Sequence, residues 1–359
     1  MAGRCRSPSS LHQRIDTANL VNQKKSIVIV GAGSIGERHV RCFLATGRAV
    51  VSVSEVNPAL GKTMGERYPV QSVFQTFEAA LASEPDAVVI CTPTDLHVSL
   101  ALQAAQRGVH VLIEKPLGTT FDGVSALQRE IEERHLTAAV AYVYRAHPAL
   151  AAMRTSIKSG CFGAPVQIVV VAGQNFPFYR PGYRETYYAE RKRGGGAVQD
   201  ALTHLINAGE WLVGPVERLV ADLDHHVLEG VSVEDTVHVL TRHEKVMGSF
   251  SLNQHQAPNE TTISVICEKG TARFESHNSR WRWLGEPGGE WHDEHVGPLE
   301  RDTLFSRQTD AFLDALTGHG APLCSLAEAA QTLRVNLAIL TSAERRAWEQ
   351  VNPKEQIHA

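Results

Sequence analysis

Two adjacent charges stand at the end of an apolar run in the sequence VHVLIEKPLGTT, residues 109–120. The residues from Val109 to Ile113 are typical of a buried strand, and Glu114, Lys115 and Pro116 follow them directly. Pro116 restricts Lys115 to extended conformations and so fixes the direction of its side chain. A lysine held partly out of water in a cleft is suited to proton transfer. The residues alone are equally compatible with a surface salt bridge.

A second group of polar side chains is predicted on one face of a helix. Residues 194–214, GGGAVQDALTHLINAGEWLVG, place Asp200, His204, Asn207 and Trp211 at intervals of four, three and four residues. In an α-helix these positions share a face. Three polar groups and a tryptophan suit a sugar or cyclitol, with hydrogen bonds to hydroxyls and a ring against C–H groups. The alternative is an amphipathic helix with a solvated aspartate and a core histidine.

A glycine-rich turn predicts a dinucleotide site. Gly31, Gly33 and Gly36 form the pattern G-x-G-x-x-G directly after the strand-like run 26–30 and at the start of a helical run. The first glycine permits a tight turn, the second lets the backbone approach a pyrophosphate, and the third lets helix and strand pack closely. The anion would lie at the helix N-terminus, so Ser34 and Ile35 are also predicted cofactor contacts.

Glu55 is the predicted partner of the cofactor ribose. It stands nineteen residues after Gly36, at the end of the second strand-like run, and no arginine follows it immediately. A carboxylate there accepts both ribose hydroxyls and repels a 2′-phosphate, which favours NAD over NADP. The alternative is a solvated acid at a strand end.

The elements that would position these groups alternate along the first part of the chain. Apolar runs at 26–30, 49–55, 86–93 and 109–113 are interleaved with helical patterns. Continuous apolar strands favour a parallel sheet covered on both faces, so we predict a doubly wound α/β domain over residues 25–145. Ligands bind at the carboxyl ends of such strands, where Thr92-Pro93-Thr94 and Glu114-Lys115 would share a crevice.

The rest of the chain has a different pattern. Strand-like runs between 166 and 266 follow closely on one another, and helical patterns occupy 196–213, 303–317 and 325–347. We predict an α+β domain over residues 146–359, with a large, mostly antiparallel open sheet and a last helix that packs back across the fold. Residues 1–24 are polar and are predicted to be a flexible tail.

Composition narrows the class of protein. The chain has 359 residues and a net charge of −4, so it carries no basic footprint for nucleic acid or an anionic membrane. No apolar run approaches the ~20 residues that span a bilayer. Six scattered cysteines without a C-x-x-C pair predict free thiols in a reducing, cytoplasmic compartment. Seventeen histidines include no H-E-x-x-H or paired Cys/His spacing, so no metal site is predicted.

The motifs resemble those of a known family. Gly31-Ala32-Gly33, Thr92-Pro93-Thr94 with His97, and above all Glu114-Lys115-Pro116 are similar to the glucose–fructose oxidoreductase/inositol dehydrogenase/rhizopine-catabolism family, Gfo/Idh/MocA. The glycine-led helix at 194–214 resembles its second motif, and the similarity spans most of residues 25–350. The resemblance implies a Rossmann domain, a domain with a large open sheet, and NAD(P)-dependent oxidation of a secondary hydroxyl on a sugar, sugar derivative or cyclitol.

The same resemblance implies roles for individual residues. The catalytic set would be Lys115, Asp200 and His204, and either Lys115 or His204 would take the hydroxyl proton. Thr92, Pro93 and His97 would line the nicotinamide end of the cofactor site, and Glu114 would support either Lys115 or the nicotinamide carboxamide. The predicted substrate contacts are Lys115, Arg145, Tyr183, Asp200, His204 and Asn207. Asn207 stands where many relatives have an aspartate, so myo-inositol is not assured as the substrate.

One segment and several alternatives complete the predictions. Residues 175–193, NFPFYRPGYRETYYAERKR, here called the aromatic segment, either form a solvated loop or wall the substrate pocket, where Arg180 or Arg184 would meet an anionic sugar. An NAD-assisted glycoside hydrolase and a non-catalytic NAD-binding regulator are the alternative functions. A homo-oligomer, dimer or tetramer, is expected through the open sheet, because an uncovered face would expose an apolar patch.

Overall fold

The computed structural model describes residues 24–352, so the predicted tail lies outside the described residues except for Lys24. The strands are β1 Lys25–Val30, β2 Ala49–Ser54, β3 Val73–Phe74, β4 Ala87–Ile90, β5 His110–Ile113, β6 Ala138–Val140, β7 Pro165–Gly173, β8 Arg218–Asp224, β9 Thr236–His243, β10 Val246–Asn253, β11 Glu260–Cys267, β12 Gly270–Glu275, β13 Arg280–Leu284, β14 His292–His295 and β15 Glu349–Gln350. The α-helices are α1 Ser34–Ala45, α2 Pro58–Arg67, α3 Phe77–Leu81, α4 His97–Gln106, α5 Val124–Glu133, α6 Pro148–Lys158, α7 Phe176–Tyr179, α8 Thr203–Val213, α9 Thr303–Leu316 and α10 Leu326–Arg345. None of these helices is long and apolar enough to cross a membrane.

The first sheet is parallel and is buried on both faces. Its strand order is β3-β2-β1-β4-β5-β6, and every pairing is parallel. Successive residues of β1 alternate between two cores, because Val28 and Val30 pack with α4 and α5 while Ile27 and Ile29 pack with α1 and α9. This double burial explains why the strands are continuously apolar, and it confirms the predicted doubly wound fold.

The second sheet has the order β14-β13-β12-β11-β7-β10-β9-β8-β15. Its pairings are antiparallel apart from β7 with β10, which confirms the predicted large and mostly antiparallel sheet. Helices α6, α8 and α10 supply apolar side chains to one face. On β7, β9 and β10, Val171, Leu240 and Met247 are about half exposed. The other face of the sheet is therefore uncovered in this chain and carries these exposed apolar side chains.

The glycine-led helix begins irregularly. Val198–Leu202 form a π-helical segment, and α8 continues from Thr203. The wider π turn rotates the following residues relative to Asp200. The predicted single face of Asp200, His204, Asn207 and Trp211 is therefore wrong: Asp200 and His204 face one cavity, whereas Asn207 contacts α10. Trp211 instead packs against Arg154, whose Cζ lies 4.6 Å from the centroid of the Trp211 ring.

Candidate active site

A cavity of about 650 Å³ lies where the carboxyl ends of the first sheet face the glycine-led helix and β7. It brings together predicted residues from both halves of the chain. They are Ser34, Ile35, Thr92, Pro93, His97, Glu114, Lys115, Asp200 and His204. The strand that ends at Ile113 therefore delivers Lys115 into the same space that Asp200 and His204 reach from the π-helical segment and α8.

Lys115 and Asp200 are in direct contact. The Lys115 ammonium donates a hydrogen bond to Asp200 O over 2.7 Å, and Nζ lies 3.5 Å from Asp200 Oδ1. The two side chains are only 15% and 5% exposed, so solvent screens this pair weakly. The lysine is therefore held by a contact inside the cavity rather than by a surface salt bridge.

Two charges and a phenol keep Asp200 ionised. Burial alone would raise the pKa of Asp200, but the positive charges of Lys115 and Arg180 and a hydrogen bond from Tyr187 hold that pKa below its usual value. The Tyr187 hydroxyl donates to Asp200 Oδ1 over 2.6 Å. Asp200 is therefore a carboxylate at neutral pH.

His204 is a neutral imidazole. Burial, together with the positive charge of Lys115, lowers the pKa of His204 to about 3. The rings of Tyr142 and Tyr144 pack around it, with centroids 5.9 Å and 5.7 Å away. Nδ1 is buried without a hydrogen-bond partner among the described residues. His204 lines the cavity and can therefore meet a polar group of a ligand.

Glu114 points away from the Lys115 ammonium. Its Oε1 accepts a hydrogen bond from His39 Nε2 over 2.8 Å, and both side chains are buried. Its Oε2 accepts from the Lys115 backbone N–H over 3.1 Å. Glu114 therefore anchors the backbone that carries Lys115 to α1. His39 was missed in the sequence, where its place three residues after Gly36 was the available signal.

His97 joins the two loops that follow β4 and β5. Its ring nitrogens lie 2.9 Å from Pro116 O and 2.9 Å from Thr92 O. Burial lowers its pKa, although both carbonyl contacts oppose that change. His97 lines the cavity, and its ring nitrogens hold the Thr92 and Pro116 segments in register.

The glycine turn fits a dinucleotide. A Cβ on Gly36 would lie 1.9 Å from Gly31 O, and a Cβ on Gly31 would lie 2.8 Å from Cys91 O. The backbone therefore leaves no room for a side chain at either position. A Cβ on Gly33 would meet nothing within 4 Å, which leaves open space at the N-terminus of α1. Gly31 also has φ +91°, a conformation that favours glycine.

Glu55 supports this turn from β2. Its Oε2 accepts from Ala32 N–H over 2.7 Å and its Oε1 accepts from Asn57 N–H over 2.8 Å. A carboxylate oxygen accepts more than one hydrogen bond, so both retain capacity for ribose hydroxyls. The turn, the helix N-terminus and the acid together fit the adenosine and pyrophosphate of NAD.

Three predicted substrate contacts do not line this cavity. Arg145 is buried, donates to Asn207 Oδ1 over 2.8 Å and pairs with Glu328. Asn207 in turn donates to Thr332 Oγ1 over 3.0 Å. Tyr183 is buried and donates to Glu229 O over 2.7 Å. Arg145 and Asn207 therefore bond with each other and with α10, and Tyr183 bonds with the Glu229 backbone, so all three residues have structural partners outside the cavity.

The aromatic segment covers part of the crevice. Arg180 and Tyr187 line the main cavity. They also line a second cavity of about 510 Å³, together with Gly33, Ser34 and Tyr183. Arg184 instead donates to Glu229 O over 2.7 Å, away from Asp200. Sequence reasoning noted this segment but did not single out Tyr187, because nothing local indicates that its hydroxyl meets Asp200.

Known protein families and relatives are similar to this chain over most of its length. Residues 25–142 match a family model described as "Oxidoreductase family, NAD-binding Rossmann fold", and residues 150–273 match "GFO/IDH/MocA C-terminal domain". The chain is 35% identical to the UDP-N-acetylglucosamine 3-dehydrogenase of Acidithiobacillus ferrooxidans, over 88% of this chain and 96% of that protein. The chain belongs to the Gfo/Idh/MocA oxidoreductase family. The resemblance in the sequence is thereby confirmed, and so is the prediction of an NAD-dependent oxidoreductase.

Two further members are similar over nearly the whole chain. The inositol 2-dehydrogenase of Rhizobium meliloti is 26% identical, over 92% of this chain and 97% of that protein. A solved structure of levoglucosan dehydrogenase in complex with NADH and levoglucosan superimposes with a TM-score of 0.84 at 21% identity, over 92% of this chain and 100% of that one. This superposition shows that the Gfo/Idh/MocA fold is shared.

Proposed function

We propose that this protein is an NAD-dependent dehydrogenase that oxidises a secondary hydroxyl of a sugar, sugar derivative or cyclitol. The observation that carries the proposal is the convergence of Lys115, Asp200 and His204 in one cavity beside the glycine turn. Relatives named for UDP-N-acetylglucosamine, inositol and levoglucosan support this range of substrates. Glu55 at the ribose end supports NAD over NADP.

When bound, NAD accepts a hydride from the carbon that carries the reacting hydroxyl. The Lys115 ammonium, held by Asp200, is placed to donate a hydrogen bond to the hydroxyl oxygen. We assign the neutral His204 imidazole, which lines the cavity together with Lys115 and Asp200, as the acceptor of the hydroxyl proton. The nearby Asp200 carboxylate stabilises the imidazolium that this transfer creates.

The test is a panel of sugars, sugar acids and inositols, with NAD or NADP reduction followed at 340 nm. We expect NADH to accumulate with at least one compound and NAD to be preferred over NADP. Cleavage of glycosides without accumulation of NADH would favour the hydrolase instead. Tight NAD binding without turnover of any member would favour the regulator.

We also propose that copies of the chain associate through the uncovered face of the second sheet. Val171, Leu240 and Met247 are about half exposed on neighbouring strands, and Val171 and Leu240 line a groove with Val169 and Val220. Leu240→Glu should lower the mass measured by light scattering after gel filtration, whereas an unchanged mass would contradict this interface.

We further propose a cytoplasmic location, which the free state of Cys42, Cys91, Cys161, Cys267 and Cys324 supports.

A further inference from the structure

The main cavity has more cationic than anionic groups. Its lining includes the cations Arg38, Lys115, Arg180 and Arg301 and, within residues 24–352, only two carboxylates, Glu114 and Asp200. Arg180 and Arg301 are exposed to solvent, so they need no internal counter-charge and remain accessible to a charge that a ligand supplies. The partners of each group show where such a ligand charge would bind.

Most of these charges already have partners. Glu114 accepts from His39, and Asp200 accepts from Lys115 and Tyr187. Arg38 lies 3.2 Å from Asp302. Neither Arg180 nor Arg301 makes an ion pair or a side-chain hydrogen bond with any residue in the described part of the chain.

The two unpaired arginines lie in different parts of the cavity. Arg301 immediately precedes Asp302, the partner of Arg38 on α1. The positive charge of Arg301 helps to lower the pKa of Arg38, although burial is the larger cause. Arg180 lines both cavities together with Asp200, and its charge helps to hold down the pKa of both Asp200 and His204.

Two anions could meet Arg180. It also lines the second cavity beside Gly33 and Ser34, where the cofactor diphosphate would lie. That diphosphate already has the N-terminal amides of α1 as donors. Of the two cations that line the cavity with Asp200, Lys115 already has this carboxylate as its partner, whereas Arg180 has no ionic partner among residues 24–352. A neutral substrate would leave the Arg180 guanidinium to solvent, whereas an anionic substrate would pair with it.

We propose that Arg180 binds an anionic group of the substrate, a carboxylate or a phosphate, so that the substrate is an acidic sugar derivative. This inference rests on the proposed dehydrogenase function. A guanidinium forms paired hydrogen bonds to a carboxylate or phosphate, and it remains charged throughout the working pH range. Placed beside Asp200 and His204, it would orient the sugar and select against neutral analogues.

The test compares matched acidic and neutral substrates on the full chain. D-galacturonate is measured against D-galactose, and D-glucose 6-phosphate against D-glucose, with wild type, Arg180→Gln and Arg184→Gln. Arg184 is the matched control because it lies in the same segment but pairs with Glu229. We expect the wild type to favour at least one acidic partner by about tenfold or more in kcat/KM.

The variants separate the two sources of the anion. Arg180→Gln should lower kcat/KM for the acidic sugar about 10- to 100-fold more than for the neutral partner, and this extra loss should appear mainly in KM. Its Kd for NADH, measured by fluorescence, should stay at the wild-type value, and Arg184→Gln should change nothing. Weaker NADH binding with unchanged selectivity would assign Arg180 to the cofactor diphosphate and overturn the proposal.

A binding measurement keeps this inference separate from the proposed function. Calorimetry on the NADH-loaded enzyme gives the Kd of each acidic and neutral partner without any need for turnover. Absence of NADH formation across the panel would overturn the dehydrogenase function. Acid binding that is no tighter than neutral binding, or that is insensitive to Arg180→Gln, would overturn the anionic substrate.

Discussion

The Tyr187 hydroxyl donates a hydrogen bond to Asp200 Oδ1 over 2.6 Å, and Lys115 Nζ approaches the same oxygen to 3.5 Å. Tyr187 reaches Asp200 from the aromatic segment, whereas Lys115 reaches it from the end of β5. The negative charge of Asp200, with burial, raises the pKa of the Tyr187 phenol well above its usual value. The phenol therefore stays protonated and acts as a permanent donor to the carboxylate.

Tyr187→Phe should move the acidic limb of the pH–activity profile to higher pH. Loss of a donor to the carboxylate raises the pKa of Asp200, so Asp200 becomes protonated earlier as the pH falls. We expect a shift of about 0.5 to 1 unit and a loss of about tenfold in kcat/KM. Tyr183→Phe is the control, since its phenol donates to Glu229 O instead. An unmoved acidic limb in Tyr187→Phe would show that this hydrogen bond does not tune Asp200.

Lys115→Ala should separate catalysis from cofactor binding. The ammonium that would meet the substrate hydroxyl is lost, whereas the glycine turn and Glu55 are untouched. We expect kcat to fall by at least ~10² while the Kd for NADH changes by less than about twofold. Lys62→Ala, on the exposed surface of α2, should behave as wild type. A large increase in the Kd for NADH in Lys115→Ala would contradict the assignment of roles.

Gly33 and Gly36 should respond oppositely to alanine. A Cβ at position 33 meets nothing within 4 Å, so Gly33→Ala should keep its Tm but bind NADH at least ~10-fold more weakly. A Cβ at position 36 would overlap Gly31 O, so Gly36→Ala should lose about 3 kcal/mol or more of unfolding free energy. Thermal melts with NADH titration check both. Unweakened NADH binding in Gly33→Ala would argue against this turn as the cofactor site.

Asn207→Ala should act on stability rather than on substrate affinity. The substitution removes the acceptor of the buried Arg145 Nε, which costs about 2 to 4 kcal/mol in unfolding free energy. KM should stay within about twofold because Asn207 does not line the cavity. Asn259→Ala, at an exposed position of the cavity lining, is the matched control and should keep its stability. An increased KM with an unchanged Tm would show that Asn207 contacts the substrate and would contradict its structural role.

Glu210 should make the stability depend on pH. Burial raises its pKa from 4.5 to about 7, although Thr332, Val216 and Gln331 donate hydrogen bonds to its carboxylate. An acid whose folded pKa is raised stabilises the protein below its unfolded pKa, and that contribution is lost as the pH rises through about 7.

The unfolding free energy of the wild type should therefore fall between about pH 5 and pH 8, and Glu210→Gln should reduce that fall by about 1 to 3 kcal/mol. Denaturant titrations across that range measure the difference between variant and wild type. Glu217→Gln, an exposed acid nearby, should leave the slope unchanged. Parallel pH profiles for Glu210→Gln and wild type would contradict the raised pKa.

Sequence patterns predicted the elements whose structure depends on a few consecutive residues. Continuous apolar runs gave β1, β2, β4 and β5 close to their observed bounds, because strands buried on both faces must be apolar throughout. β3 was missed, since Val73 and Phe74 form only a two-residue strand. The glycine turn and Lys115 were accessible for the same reason, because their chemistry depends on a few consecutive residues.

Long-range packing decided the rest. Asn207 turns to Thr332, 125 positions further along the chain, and the π-helical segment changes its direction relative to Asp200. His39 meets Glu114 across 75 positions. Tyr187 meets Asp200 through the path of a segment that has little regular structure. No periodicity encodes these contacts, so sequence patterns gave the catalytic set without its supporting residues.

Helix α10 contributes to the cores of both sheets at once. Its Ala330 and Leu333 pack with β4, β5 and α5, and its Val335 and Ile339 pack with β7, β10 and α8. Separation of the two halves would expose apolar surface on at least one side of this helix. The two sides of the crevice therefore share one helix as part of both cores. Thermal unfolding of the two halves should be a single cooperative event.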